Sequence, residues 1–135
     1  GDKTGLDDDI REKIEDLEEA TKNNTGLHFQ IAINYGGRDE IVHSVKEIAE
    51  KIKKGELSPE DITEDTISEN LYSKTPECDL IIRPSGEERL SNFLLWESAY
   101  SEFVFMDVLW PDFTKEHLEE ALEEYSKRSR RFGGV

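Results

Sequence analysis

The stretch Leu27-His28-Phe29-Gln30-Ile31-Ala32-Ile33-Asn34-Tyr35-Gly36-Gly37-Arg38, running on through Asp39 to Ile52, decides the fold class. Phe29, Ile31 and Ile33 recur at every second position and Ala32 keeps the other side apolar, so Leu27 to Asn34 reads as a strand covered on both faces. Gly36-Gly37 closes it. Beyond the glycines the period changes: Ile41, Val45, Ile48 and Ile52 fall at helical spacing, and two lysines before Gly55 suit a helix C-terminus. The order is strand, turn, helix.

Working outward, Ile10, Ile14 and Leu17 predict an amphipathic helix from near Asp8 to near Thr21, ended by the turn-forming Asn23-Asn24-Thr25-Gly26. Downstream, Ser58-Pro59-Glu60-Asp61 reads as a helix-start turn, and Thr63 as the cap of a short helix presenting Ile67 and Leu71. Leu80-Ile81-Ile82 then forms a short buried strand ending at Arg83. Asn92 to Tyr100 is expected to be a helix rich in large apolar groups, and Phe103 to Val108 a third strand. Thr114 caps a last helix with Leu118, Ala121, Leu122 and Tyr125 on one face, ending in Lys127, Arg128, Arg130, Arg131 and Gly133. Strands separated by helices imply right-handed crossovers, hence an α/β fold with a mostly parallel sheet flanked by helices, in a single domain over residues 1–135.

Composition narrows the partners. The net charge is −15, with acidic runs from Asp7 to Glu19 and from Glu116 to Glu124, read as solvated helix faces. Such a surface repels nucleic acid and anionic lipid, although a local basic cluster still captures a small anion where long-range fields are screened. The lone Cys78 excludes an internal disulfide and fits a reducing compartment as a small buried side chain, so a cytoplasmic location is expected. No apolar run approaches the ~20 residues of a membrane span, leaving at most peripheral membrane contact.

In an open parallel sheet, ligands bind beyond the carboxyl ends of the strands, which directs attention to two loops. In the first, Asn34 to Glu40, paired glycines let backbone approach a ligand and a helix N-terminus follows; the same pair also serves simple turn geometry. The second, Arg83-Pro84-Ser85-Gly86-Glu87-Glu88-Arg89-Leu90-Ser91-Asn92, gathers guanidinium and hydroxyl groups around one turn. Arginine presents a planar fork that matches phosphate oxygens, so this is anion chemistry; the alternative is that Arg83 and Arg89 pair with Glu87 and Glu88 on the surface. Glu102 is either a ligand for a hard cation or a solvated helix-end residue. His28, His43 and His117 have no mutual ligand spacing, and Ser85 lacks the partners of a nucleophile. Phe93-Leu94-Leu95-Trp96 with Tyr100, Phe103 and Phe105 suits a core or a subunit interface.

Several motifs together resemble one family. They are Asn24-Thr25-Gly26-Leu27, Asn34-Tyr35-Gly36-Gly37-Arg38, Arg89-Leu90-Ser91-Asn92-Phe93-Leu94-Leu95-Trp96, Ala99-Tyr100-Ser101-Glu102, Val108-Leu109-Trp110-Pro111-Asp112-Phe113 and Arg130-Arg131-Phe132-Gly133-Gly134. The chain resembles the C-terminal half of cis-prenyltransferases, the group that includes undecaprenyl diphosphate synthase. That resemblance implies cis-condensation of isopentenyl diphosphate onto an allylic diphosphate, with Arg83, Arg89, Leu90 and Ser91 holding the isopentenyl diphosphate. It also implies Mg2+ placed with the help of Glu102, and Arg131 and Gly133 reaching a site shared across a homodimer. The family's N-terminal half, with its Asp-Gly-Asn-Gly-Arg loop and catalytic aspartate, has no counterpart in the sequence, so the catalytic residue is unassigned. Two roles follow: a prenyltransferase that associates with its missing half or a full-length relative, or a non-catalytic accessory or diphosphate-binding domain. Pro84 stands where the family usually carries a small hydroxylated residue, and it removes a backbone donor.

Overall fold

Asp8 and Asp9 occupy the first turn of helix α1 (Asp8–Thr21), where negative charge complements the helix dipole. The same complementarity governs α2 (Gly37–Lys53), with Asp39 and Glu40 in its first turn and Lys51 and Lys53 in its last. Helix α3 (Glu64–Ser68) is short and closed by a reciprocal cap: Thr63 N–H donates to Thr66 Oγ1 at 3.0 Å and Thr66 N–H returns to Thr63 Oγ1 at 3.3 Å. In the computed structural model, which describes residues 1–73 and 77–129, these helices belong to the first of two units, Gly1–Ser73 and Lys74–Val135.

Within the first unit, α2 packs on α3, and Ile48 of α2 and Leu71, just past α3, are both buried. Ser44, fully buried, donates from Oγ to the Ile67 carbonyl at 2.9 Å, and Lys51 Nζ donates to Asn70 Oδ1 at 2.6 Å. The buried Glu40 carboxylate accepts from the Tyr35 hydroxyl and from Tyr72 N–H, the latter at 3.2 Å. Tyr72 stacks on His43 and donates its hydroxyl to Asp39. Burial and that acceptor raise the pKa of the Tyr72 phenol.

The strand expected over Leu27 to Asn34 does not form. The segment joins no ladder and bends at Ile33 and Asn34, where Asn34 has φ +48°, and Leu27, Phe29 and Ile31 are 91, 78 and 60% exposed. Alternation makes a strand only beside another strand, and the first unit supplies none among its described residues.

In the second unit β1 (Leu80–Arg83) and β2 (Glu102–Phe105) pair in parallel, Leu80 opposite Glu102 and Arg83 opposite Phe105. Side chains alternate between the faces. Leu80, Ile82 and Val104 turn toward Met106 and the fully buried Ala121 of α4 (Lys115–Ser126), which forms the core. The last helix begins after Thr114 as expected, with Thr114 N–H bonded to His117 Nδ1 at 3.0 Å, which gives that histidine a capping role.

β2 is shorter than the expected Phe103 to Val108. Past Phe105 the chain pairs instead with the loop leaving β1: Gly86 N–H donates to Met106 C=O at 2.9 Å and Ser85 N–H to Val108 C=O at 2.7 Å. Gly86 has φ +66° and a Cβ there would meet Asp107 Oδ1 at 2.9 Å, so the turn requires glycine.

The helix expected over Asn92 to Tyr100 is a succession of turns. Ser91, Asn92 and Leu94 all have positive φ, which an α-helix excludes. Four consecutive large apolar groups, Phe93 to Trp96, point around the whole circumference of a helix, so no single face would bury them. Cys78 is half-buried, its thiol directed at the Leu80 carbonyl.

Candidate functional site

The loop leaving β1 carries the arginines. Arg83 ends the strand, and its Nη2 donates to Glu87 Oε2 at 3.1 Å while Nη1 reaches Ser91 Oγ at 3.1 Å and the Arg89 carbonyl. Arg89 Nη2 donates to the same Glu87 oxygen. Both guanidinium groups therefore converge on one carboxylate oxygen. The Arg89 hydrogen bond and charge, then those of Arg83, hold the Glu87 carboxyl below the usual carboxylate range. This is the surface pairing that the sequence offers as one alternative, and it brings Arg83, Arg89 and Ser91 together.

Beneath these groups lies a cleft of about 230 Å³ lined by Ile81, Pro84, Leu90, Phe93, Phe103 and Phe105 beside Arg83, Arg89 and Ser91. Phe103 and Phe105 stack at 5.9 Å between centroids on the face of β2 turned away from α4. The lining was legible only as apolar density; the hint is the alternation of Phe103 and Phe105 around Val104, which commits them to the face opposite the core. Glu87 stands as the surface ion-pair partner that the sequence offers; what the sequence cannot show is that both arginines share it.

Glu102 is not brought to this cluster within the chain. It opens β2 on the α4 face, whereas Arg83 closes β1 on the other, three residues further along, or roughly 10 Å at strand rise. Glu102 Oε2 instead accepts from Arg128 Nη1 at 3.0 Å, and Arg128 Nη2 also pairs with Glu124. Among the described residues no group of three or more His, Cys, Asp or Glu side chains is arranged to hold a metal ion. A single carboxylate fits Mg2+ in the form where substrate phosphates and water complete the coordination. Arg131 and Gly133 lie outside the described residues.

A parallel α/β unit that sets two arginines and a serine over an apolar cleft at the carboxyl end of a strand suits an amphiphile with an anionic head and a hydrocarbon body. The family model described as "Putative undecaprenyl diphosphate synthase" matches residues 1–133, and the chain belongs to that family of prenyltransferases. It is 53% identical to an isoprenyl transferase of Zymomonas mobilis and 51% identical to one of Agrobacterium fabrum, in each case over the whole chain and 55% of the relative. Among solved structures it is similar to lavandulyl diphosphate synthase from Lavandula x intermedia in complex with dimethylallyl diphosphate, with a TM-score of 0.94 and 43% identity over 98% of this chain and 58% of that one. A protein from Campylobacter jejuni described as a probable undecaprenyl diphosphate synthase gives 0.86 and 38% over 98% of this chain and 60% of that one. The chain spans a little over half the length of the curated relatives it matches. Among the described residues no helix is long and apolar enough to cross a membrane.

Proposed function

We propose that this chain supplies the isopentenyl diphosphate site of a cis-prenyltransferase that elongates an allylic diphosphate. The observation that carries the reading is the convergence of Arg83 and Arg89 on one oxygen at the lip of the Phe103–Phe105 cleft. Here the Glu87 carboxylate stands in for an anionic phosphate oxygen. Arg83, Arg89 and Ser91 bind the diphosphate, Leu90 flanks it, and the apolar cleft orients the five-carbon body and excludes water. In the reaction the isopentenyl double bond adds to the allylic carbon, the allylic diphosphate departs, and a proton is lost to leave a cis double bond.

Arg83 and Arg89, fixed in advance on the isopentenyl diphosphate, hold the attacking double bond in place while charge builds on the departing allylic diphosphate. Bound Mg2+ supplies charge stabilisation there, with Glu102 as the residue of this chain that would hold it. A homodimer, in which Arg131 and Gly133 reach the partner's site, belongs to the same reading, as does a cytoplasmic setting. A second reading is an accessory or diphosphate-binding domain without independent activity, which the same arginine cluster would serve equally well.

The deciding experiment is prenyl transfer by the purified chain with isopentenyl diphosphate, an allylic diphosphate and Mg2+, beside binding of isopentenyl diphosphate by calorimetry. Binding that Arg89→Ala weakens tenfold or more, as expected for a lost charge-assisted bond, supports the site. Transfer by the chain alone, abolished by Glu102→Ala, gives it independent activity; binding without transfer makes it the accessory domain. Binding indifferent to Arg89→Ala overturns the assignment.

A further inference from the structure

The anion contacts of the loop leaving β1 are already made. Glu87 Oε2 accepts from Arg83 Nη2 at 3.1 Å and from Arg89 Nη2, so one tethered carboxylate fills the spot where both guanidinium forks converge. Within residues 83–92 two arginines stand against two glutamates, Glu87 and the exposed Glu88, and the formal charge of the loop is zero. No net field draws an anion in, and an incoming anion has to take the contacts from Glu87. The geometry allows that exchange. Arg83, whose side chain is 23% exposed, is also held through Nη1, which donates to Ser91 Oγ at 3.1 Å and to the Arg89 carbonyl. It keeps its place when Nη2 is freed. The Glu87 side chain is 41% exposed, so its carboxylate regains water readily on letting go.

We propose that Glu87 is a built-in competitor for the anion site: its carboxylate fills the forks of Arg83 and Arg89 until a diphosphate displaces it, and returns as the diphosphate leaves. The inference deepens the isopentenyl diphosphate reading and rests on it. Glu87 lies four residues from Arg83 and two from Arg89, and so short a tether gives the carboxylate an effective concentration on the order of millimolar. Because the competition is intramolecular, it divides the affinity of every anion that needs both forks by one common factor. That suits the reaction. When the isopentenyl double bond adds to the allylic carbon, the allylic diphosphate departs, and the elongated product keeps the diphosphate held by Arg83 and Arg89. A tethered rival that re-forms those contacts helps the product leave before the next isopentenyl unit binds. A glutamate that served only to position the arginines would act with the opposite sign, since its removal would weaken anion binding.

The sign of the change in affinity is the test. Binding of inorganic diphosphate and of orthophosphate to the full 135-residue chain is measured by calorimetry in metal-free buffer, for the unmutated protein, Glu87→Gln, Arg89→Ala and the double variant. Glu87→Gln is expected to bind both anions about three- to tenfold more tightly, by the same factor for each, which is the size expected when exposed ion pairs no longer compete. In the Arg89→Ala background, where Glu87 has lost one of its two partners, the gain should shrink. Weaker binding by Glu87→Gln makes the carboxylate a positioning group, and unchanged binding makes it a bystander; either result overturns the proposal and leaves the arginine site standing. A gain for one anion and not the other overturns it as well. Binding of both anions indifferent to Arg89→Ala removes the site itself, and the competitor with it.

Discussion

Glu87 shows what one side chain does when two cations close on it. Its carboxyl ordinarily titrates at 4.5 and is held lower here by the hydrogen bonds and charges of Arg89 and then Arg83. A depressed folded pKa means stability that is present above 4.5 and lost as the pH falls through the lower, folded value. Protonation then releases both guanidinium groups from their shared acceptor. Urea denaturation of the chain in stepwise more acidic buffers should therefore show a loss of stability below 4.5 that is smaller in Glu87→Gln; identical acid limbs in the two proteins would mean that the pairing contributes nothing. Arg83 and Arg89 themselves were legible as anion-binding chemistry, since their residue type carries it. What could not be read was that their shared partner is Glu87 alone, and that Glu102 turns to the other face of the sheet. Both depend on the parity of a four-residue strand, and sliding its start by one residue reverses that parity.

At the scale of elements, legibility followed local chemistry. Helix α1 runs over Asp8–Thr21 and α4 starts after Thr114, where the period and the caps place them, because those signals lie within the segment itself. Leu27 to Asn34 and Asn92 to Tyr100 went otherwise, since one needs a neighbouring strand and the other has no single apolar face. Packing of α4 on the sheet rests on Ala121, which is fully buried against Val104 and Met106. Ala121→Leu should destabilise the second unit by about 1–3 kcal/mol through overpacking. Leu122→Ala, one position along and 47% exposed, should stay within about 0.5 kcal/mol. Chemical denaturation of the pair distinguishes a packed face from a merely amphipathic one: equal effects would mean that α4 does not dock through Ala121.

For the molecule as a whole, a net charge of −15 opposes self-association, while the exposed apolar side chains between Leu27 and Ile33 are expected to favour it. The repulsion is screened by salt and the apolar attraction is not. Sedimentation velocity should therefore show the chain associating more as salt is raised from low to about 0.5 M, with Ile31→Lys suppressing the effect; a salt-independent monomer would show that the stretch is not adhesive. The fold class was readable at this scale because parallel pairing and helix alternation survive in β1 and β2. The exposure of Leu27 to Ile33 was not, since sequence alternation carries no information about whether a neighbour is present. That exposure also has a meaning in the cell. An apolar run offering Leu27, Phe29 and Ile31 to solvent is the kind of segment that chaperones and proteases recognise, so whatever covers those seven residues is expected to lengthen the life of this chain in the cell.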